Sequence, residues 1–370
     1  MSSPAAALDP EAARQAIEYC YEQGWTDGLP VVPPTEERVR DFLAATSRQP
    51  DDVISHAIHL DLSCTVQQAA INAVMAGCLP EYFPVVVAAV EGMWGDLERG
   101  FPGVMSSTGG PAPFVVVNGP IRRQIDLNCE GSLFSPGFRA NAAIGRALHL
   151  IAMNVFGLRP HVLEQATQGT PCKWAMCIGE NEEDSPWEPL HVERGFASTD
   201  STVTTCLCGG SMPINIRHTQ APERVLLSLA HAMSGHGASY EDSWIGLVMG
   251  PEHAHLLANA GWSKARVKQF LWEHYGEQLG VLRRQGRGDF EEDMRPERAG
   301  HYALVEEAHP ERRMPGADKL KDDEFIHFAE SPDSILLVVA GANNAGVSTV
   351  VSIGNPLGMP QNGRPLTHAV

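Results

Sequence analysis

The chain has no stretch of eighteen uninterrupted apolar residues, and its opening Met-Ser-Ser-Pro-Ala-Ala-Ala-Leu-Asp-Pro has neither a basic lead nor an apolar run. The first absence argues against a membrane-spanning helix and the second against a secretory leader, so a cytoplasmic location with no membrane partner is expected. There is no Lys/Arg-rich stripe either. With 27 basic against 45 acidic residues the formal charge is −18, which points away from nucleic acid, because nothing concentrates the cations that a phosphate backbone requires. The eight cysteines, Cys20, Cys64, Cys78, Cys129, Cys172, Cys177, Cys206 and Cys208, follow neither zinc-finger nor thioredoxin spacing. Most are expected to be free thiols packed as small hydrophobes. Cys172 and Cys177 are five apart and Cys206-Leu207-Cys208 is expected to diverge if extended, so neither pair reads as a metal clip. No Walker loop and no Gly-x-Gly-x-x-Gly stretch supports nucleotide binding.

What is present suits a large core: 370 residues, 43% hydrophobic and 19% charged, enough for one large α/β domain or two smaller ones. Helices are expected over residues 10 to 23 with Asp9 as cap, 35 to 46 with Thr35 as cap, 66 to 77, 80 to 94 and 138 to 156. Between the first two, the run Thr26 to Thr35 carries three prolines and must be extended or turning. Phe114-Val115-Val116-Val117, ended by Asn118-Gly119-Pro120, reads as a buried strand, and Ile335 to Ala340, followed by Gly341, repeats that pattern. The expected fold class is therefore α/β, with short buried strands, glycine loops and packed helices, as two pseudo-repeated units. The first unit spans residues 1 to 157, a bridging segment 158 to 221, and a helical region with the second unit 222 to 370, including a charged excursion at 283 to 324.

One segment has a composition no core tolerates. Glu180-Asn181-Glu182-Glu183-Asp184-Ser185-Pro186-Trp187-Glu188-Pro189-Leu190-His191-Val192-Glu193-Arg194-Gly195-Phe196 packs six carboxylates, a histidine, an arginine and a tryptophan together. Its two prolines deny it a long helix or a central strand, so it reads as an ordered loop placed where the two units meet. His191 stands among carboxylates able to orient it or to share a divalent metal with it, and Glu180, Glu182 and Glu193 are the candidates. Cys78, just before Pro80, is expected beside the free amides of a helix start, where a thiol gains nucleophilicity. Arg139, Asn141 and Arg146 open the helix at 138 and suit an anion, with Ser348 in the last glycine loop as a further ligand-binding group.

Ala70-Ile71-Asn72-Ala73-Val74-Met75-Ala76-Gly77-Cys78 with Pro80-Glu81-Tyr82, Arg139 through Ala147, Glu180 through Phe196, and Gly250-Pro251-Glu252-His253 with Gly261-Trp262-Ser263-Lys264 together resemble one bacterial family. It is associated with UGSC-type proteins, thioredoxin-labelled relatives of selenoproteins. The resemblance covers most of residues 26 to 275. The chain has no Cys-Gly-Ser-Cys or selenocysteine run, the nearest being Cys208-Gly209-Gly210-Ser211, so the resemblance implies no thioredoxin-like activity and carries over no catalytic residue. The residues themselves point to an enzyme of lyase or hydrolase type acting on a small anionic organic molecule by acid/base chemistry, with a divalent metal as a candidate cofactor. The competing class is a thiol-redox or scaffold subunit of a heteromeric complex. A homo-oligomer, or a hetero-oligomer with a related subunit, is expected in either case.

Overall fold

The computed structural model describes residues 9–57, 60–94, 105–236, 244–285, 321–353 and 364–370. Helices begin where the sequence caps them. Asp9 accepts from the amides of Glu11 and Ala12 to open α1 (Pro10–Glu22), and Thr35 accepts from the Arg38 amide at the head of α2 (Glu36–Leu43). An antiparallel pair, β1 (Val53–Ala57) and β2 (Leu62–Thr65), delivers Thr65 to the start of α3 (Val66–Ala76), where Thr65 and Gln68 form a reciprocal capping box. A 3-10 turn over Pro80–Tyr82 then leads into the almost wholly buried α4 (Phe83–Trp94).

A seven-stranded mixed sheet organises the rest. β3 (Ala112–Asn118) pairs parallel with β4 (Cys177–Gly179) and antiparallel with the first half of β5 (Thr202–Asn215). The second half of β5 pairs antiparallel with β10 (Val347–Ile353), β10 antiparallel with β6 (Ile245–Met249), and β6 parallel with β9 (Ile335–Val339). The last strand, β11 (Leu366–Ala369), continues along the β10 edge of β5, while β7 (Gly276–Gln278) and β8 (Phe325–His327) form a separate pair. From either end the path reads as a parallel pair followed by an antiparallel strand, and the two halves meet at the β5–β10 pair. The internal repetition differs in detail from the one visible in the sequence. By topology β3 corresponds to β6 and β4 to β9, so Gly119-Pro120 after β3 is answered by Gly250-Pro251 after β6, rather than by the loop after β9.

The sheet is curled. β4 and β9 stand at opposite ends of its path, yet the amide of Asn181, two residues beyond β4, donates to the Val339 carbonyl at the end of β9 at 2.8 Å. Phe114, Val116, Ile178, Cys206, Cys208, Val248, Leu336, Val338 and Val351 form one core on the concave face. Side chains of opposite parity serve the convex face, as the period of two requires. Val115, Val117 and Leu207 pack on α3, α4 and α6 (Arg139–Asn154). Ile245, Leu247, Ile335 and Leu337 pack on α8 (Pro222–Gly235), α9 (Pro251–Asn259) and α10 (Lys264–His274). The same parity corrects the expectation for Cys206 and Cys208. Two apart on a strand, they share the concave face instead of diverging.

The segment expected to bridge the units supplies β4 and the central β5, and the region from 222 to 280 includes β6 and β7 besides its helices. Residues 286 to 320, the bulk of the charged excursion, lie outside the described residues.

Candidate functional site

β3 is buried along its whole length, so its first polar side chain is Asn118, at the carboxyl end. The chain then turns at Gly119, whose φ is 82° and where a Cβ would fall 2.0 Å from the Asp200 carbonyl oxygen; only glycine fits. The Gly119 amide donates to Glu182 Oε1 at 2.7 Å. Asn118 Nδ2 donates to the same oxygen at 3.0 Å and to Glu180 Oε2 at 2.6 Å. Glu180 directly follows β4 and is fully buried. Its Oε2 also accepts from the Leu190 amide at 2.8 Å, and its Oε1 faces the Val339 amide at 3.5 Å. These N–H groups replace the water a buried carboxylate gives up.

Arg122, in the short helix α5 (Ile121–Gln124), is 2% exposed. Its Nη2 meets Glu182 Oε2 at 2.9 Å, and its Nη1 donates to the Glu180 carbonyl at 2.6 Å and to Glu183 Oε2 at 3.1 Å. Its Nε donates to the Gly119 carbonyl at 3.1 Å. Partial burial alone would raise the Glu183 carboxyl, but hydrogen bonds from Arg122 and Arg123 outweigh it and push the group down to about 2.

His191 is the second residue of α7 (Leu190–Glu193), and its ring is fully enclosed. Nδ1 lies 3.9 Å from Glu182 Oε1, beyond hydrogen-bond reach, and neither ring nitrogen has a hydrogen-bond partner among the described residues. Asn118 Oδ1 and Thr202 Oγ1, on residues paired across β3 and β5, are buried without a partner as well. Unpartnered polar atoms of this kind are rare and costly, and both Asn118 and His191, which carry three of the four, stand next to Glu182.

The rest of the acidic loop is stitched to the other end of the sheet. Glu193 pairs with Lys264 at 2.8 Å and Lys268 at 2.9 Å; burial opposes its ionisation, but the two ammonium groups hold its carboxyl below the usual range. Trp187 Nε1 donates to the Trp262 carbonyl at 3.0 Å, Asn181 Nδ2 to the Gly341 carbonyl at 3.2 Å, and His255 pairs with Asp184 at 2.8 Å.

The other sequence-expected residues lie apart from this cluster. Cys78 is buried, and burial pushes its thiol up to about 12 even though Arg139 opposes the shift, so the expected activation by a helix start does not occur. Arg139 is exposed and donates from Nε to the Gly77 carbonyl at 2.9 Å. Asn141 is consumed by backbone: it accepts from the Asn128 amide at 2.8 Å and donates to the Asn128 and Cys177 carbonyls, both at 3.0 Å. Arg146 clamps Asp27 at 2.7 and 2.8 Å and the Pro30 carbonyl at 3.0 Å, which ties the proline-rich run to α6. Ser348 accepts from the Gly250 amide at 3.1 Å and lies 2.8 Å from His253 Nδ1. The other ring nitrogen of His253 faces the Ile216 carbonyl at 3.1 Å, so Nε2 carries the proton and Ser348 donates to Nδ1. That fully satisfied pair locks β10 to α9.

The guanidinium that meets Glu182 is that of Arg122, while Arg139, which the sequence offered for an anion, bonds the Gly77 carbonyl instead. Arg122 escaped the sequence reading because it follows a turn rather than opening a long helix; its signal was its place just past the carboxyl end of a buried strand, where α/β sheets gather ligand-binding groups. Among the described residues no three His, Cys, Asp or Glu side chains converge as a metal site, and no helix is long and apolar enough to cross a membrane. Comparison with protein-family models, with curated proteins and with solved structures finds no match.

Proposed function

We propose that the chain is an enzyme that moves a proton at His191 on a small polar organic molecule, in an elimination or a hydrolysis. The observation that carries this reading is the pairing of an enclosed imidazole, free at both nitrogens, with a carboxylate whose position is fixed from three sides by Gly119, Asn118 and Arg122. A histidine acting as acid or base needs one nitrogen for the reacting proton and an orienting group near the other. Glu182 suits the orienting part at Nδ1, which leaves Nε2 for the substrate. The unpartnered Asn118 Oδ1 and Thr202 Oγ1 are further hydrogen-bonding capacity offered to the same molecule.

Glu180 and Glu193 take supporting parts in this reading, the first holding Leu190 and Asn118, the second holding α7 against α10. The negative charge expected of the substrate rested on Arg139, Asn141 and Arg146, whose groups are committed to the Gly77 carbonyl, to Asn128 and Cys177 backbone, and to Asp27, so no substrate charge is proposed. Because the ring is enclosed, entry of a ligand requires a local opening around it.

A thermal-shift panel of small hydroxy, keto and amino acids with their neutral amides tests the reading on the wild type and on His191→Gln. The expected result is a compound that stabilises the wild type and loses that effect in the variant. Equal stabilisation of both proteins by every binding compound would remove His191 from the site.

A further inference from the structure

At the opposite end of the curled sheet, the concave core holds a second chemical feature. Cys172 belongs to the 3-10 turn Pro171–Lys173, and Cys208 lies on β5 where that strand faces Ala112 on one side and Ile353 on the other. Thirty-six residues separate them in sequence, yet their Sγ atoms are 3.7 Å apart. They are unequally exposed: Cys208 is 0% accessible, whereas Cys172 is 8% accessible and is flanked by exposed Pro171 and by Trp174, itself 52% exposed. The pair sits among hydrogen-bonding groups. Thr170 Oγ1 accepts from the Cys172 amide at 3.3 Å, and the single Cys208 proton has two acceptors in reach, Cys172 Sγ at 3.7 Å and the Gly210 carbonyl at 3.3 Å.

We propose that Cys172 and Cys208 form a redox-active dithiol that reduces disulfides of an external thiol compound, with Cys172 as the attacking sulfur and Cys208 as the resolving one. The Cys172 thiolate attacks one sulfur of a substrate disulfide, forming a mixed disulfide and releasing the other half as a thiolate. The Cys208 sulfur then attacks Cys172 Sγ, breaking the mixed disulfide, and the second half leaves as a thiol carrying the Cys208 proton. The protein is left with a Cys172–Cys208 disulfide, two electrons have passed to the substrate, and an external dithiol restores the reduced pair. Closing a bond of about 2.0 Å requires the sulfurs to approach by roughly 1.7 Å.

The electrostatics divide the two roles in the same way. The hydrogen bond from Cys208, with further ones from Thr170 and Ser211, holds the Cys172 thiol down at about 6 against the effect of burial. The same contact, with burial, drives Cys208 well above the ordinary value. Burial pushes Cys64 and Cys78 up to about 12. At neutral pH, Cys172 is therefore the competent nucleophile of the pair.

The test uses the reduced full chain. Brief iodoacetamide treatment at pH 7 followed by peptide mapping is expected to label Cys172 at least about tenfold faster than Cys64 or Cys78. Oxidised glutathione is expected to yield the Cys172–Cys208 linkage as the main product, and Cys208→Ser is expected to stop at a glutathione adduct on Cys172. Running oxidised insulin in parallel separates a protein disulfide from a small one, and reduction of either supports the proposal. Equal labelling of the cysteines, or oxidation that leaves 172 and 208 unlinked while neither disulfide is reduced, would overturn it. His191→Gln should leave all of this unchanged, which keeps the outcome separate from the proton-transfer reading.

Discussion

Glu180→Ala removes a buried acceptor that holds together the end of β3, the acidic loop and β9. Three N–H groups address its carboxylate: Asn118 Nδ2 at 2.6 Å, the Leu190 amide at 2.8 Å and the Val339 amide at 3.5 Å. Asn118 retains Glu182 as a partner, and the Val339 contact is too long to matter much. The Leu190 amide loses its side-chain acceptor, and an orphaned buried donor together with the lost charge-assisted bonds costs ~3–4 kcal/mol. The cavity left by truncation adds ~1 kcal/mol. Relief of repulsion between Glu180 and Glu182, which share the Asn118 amide, returns ~1 kcal/mol. The expected net loss is ~3–4 kcal/mol. Glu180→Gln preserves the shape but turns an N–H toward one of the donors, so ~2 kcal/mol is expected. Urea unfolding followed by tryptophan fluorescence measures both, with the denaturant slope checked for constancy. Hydrogen exchange at the Leu190 amide gives a local reading of the same contact. A loss below ~1 kcal/mol for Glu180→Ala, with Leu190 exchange unaltered, would refute the view that this carboxylate anchors the loop.

Arg122→Lys keeps the charge but loses the planar fork that spans Glu182, Glu183 and two carbonyls, so a destabilisation of ~2–3 kcal/mol is expected, along with a rise of the Glu183 carboxyl toward its ordinary range by NMR titration. Glu193 is held below its ordinary range when folded, so its pairing with Lys264 and Lys268 stabilises fully above the unfolded carboxylate pKa of about 4.3 and is lost as pH falls through the lower folded value. Melting temperature against pH should accordingly show a shallower acid limb in Glu193→Gln than in the wild type. Gly119→Ala should cost more than ~3 kcal/mol, because its Cβ would collide with the Asp200 carbonyl. Gly77→Ala also has positive φ but meets nothing within 4 Å, so circular dichroism melts should show only the ~1–2 kcal/mol backbone penalty there.

The first helices were legible because their starts are written in single residues, Asp9 and Thr35, each of which caps the helix that follows; Thr65 and Ser263 prove to do the same. β3 and β9 were legible as uninterrupted apolar runs bounded by glycine. β5 was not, since Thr202 to Asn215 mixes threonine, cysteine, two glycines and a proline, and its length comes from serving two partners in succession along its edges. β6 is five apolar residues inside a helix-rich region, a pattern that periodicity alone does not distinguish from helix. The acidic loop was legible from composition, and His191 does stand near Glu182. Arg122 is less legible than Arg139, because a long helix start is easier to see than a one-turn helix after Asn-Gly-Pro. The Cys172–Cys208 approach arises because the 3-10 turn before β4 packs against β3 and β5, and it has no expression in cysteine spacing.

The claim that His191 exchanges a proton with a bound molecule is tested most directly in heavy water, by following a ligand that stabilises the wild type with proton NMR. The wild type is expected to catalyse deuterium incorporation at carbon or turnover of the ligand, and His191→Gln to lose about a hundredfold or more of that rate while remaining folded. Undiminished exchange or turnover in the variant, or none in the wild type, would contradict it.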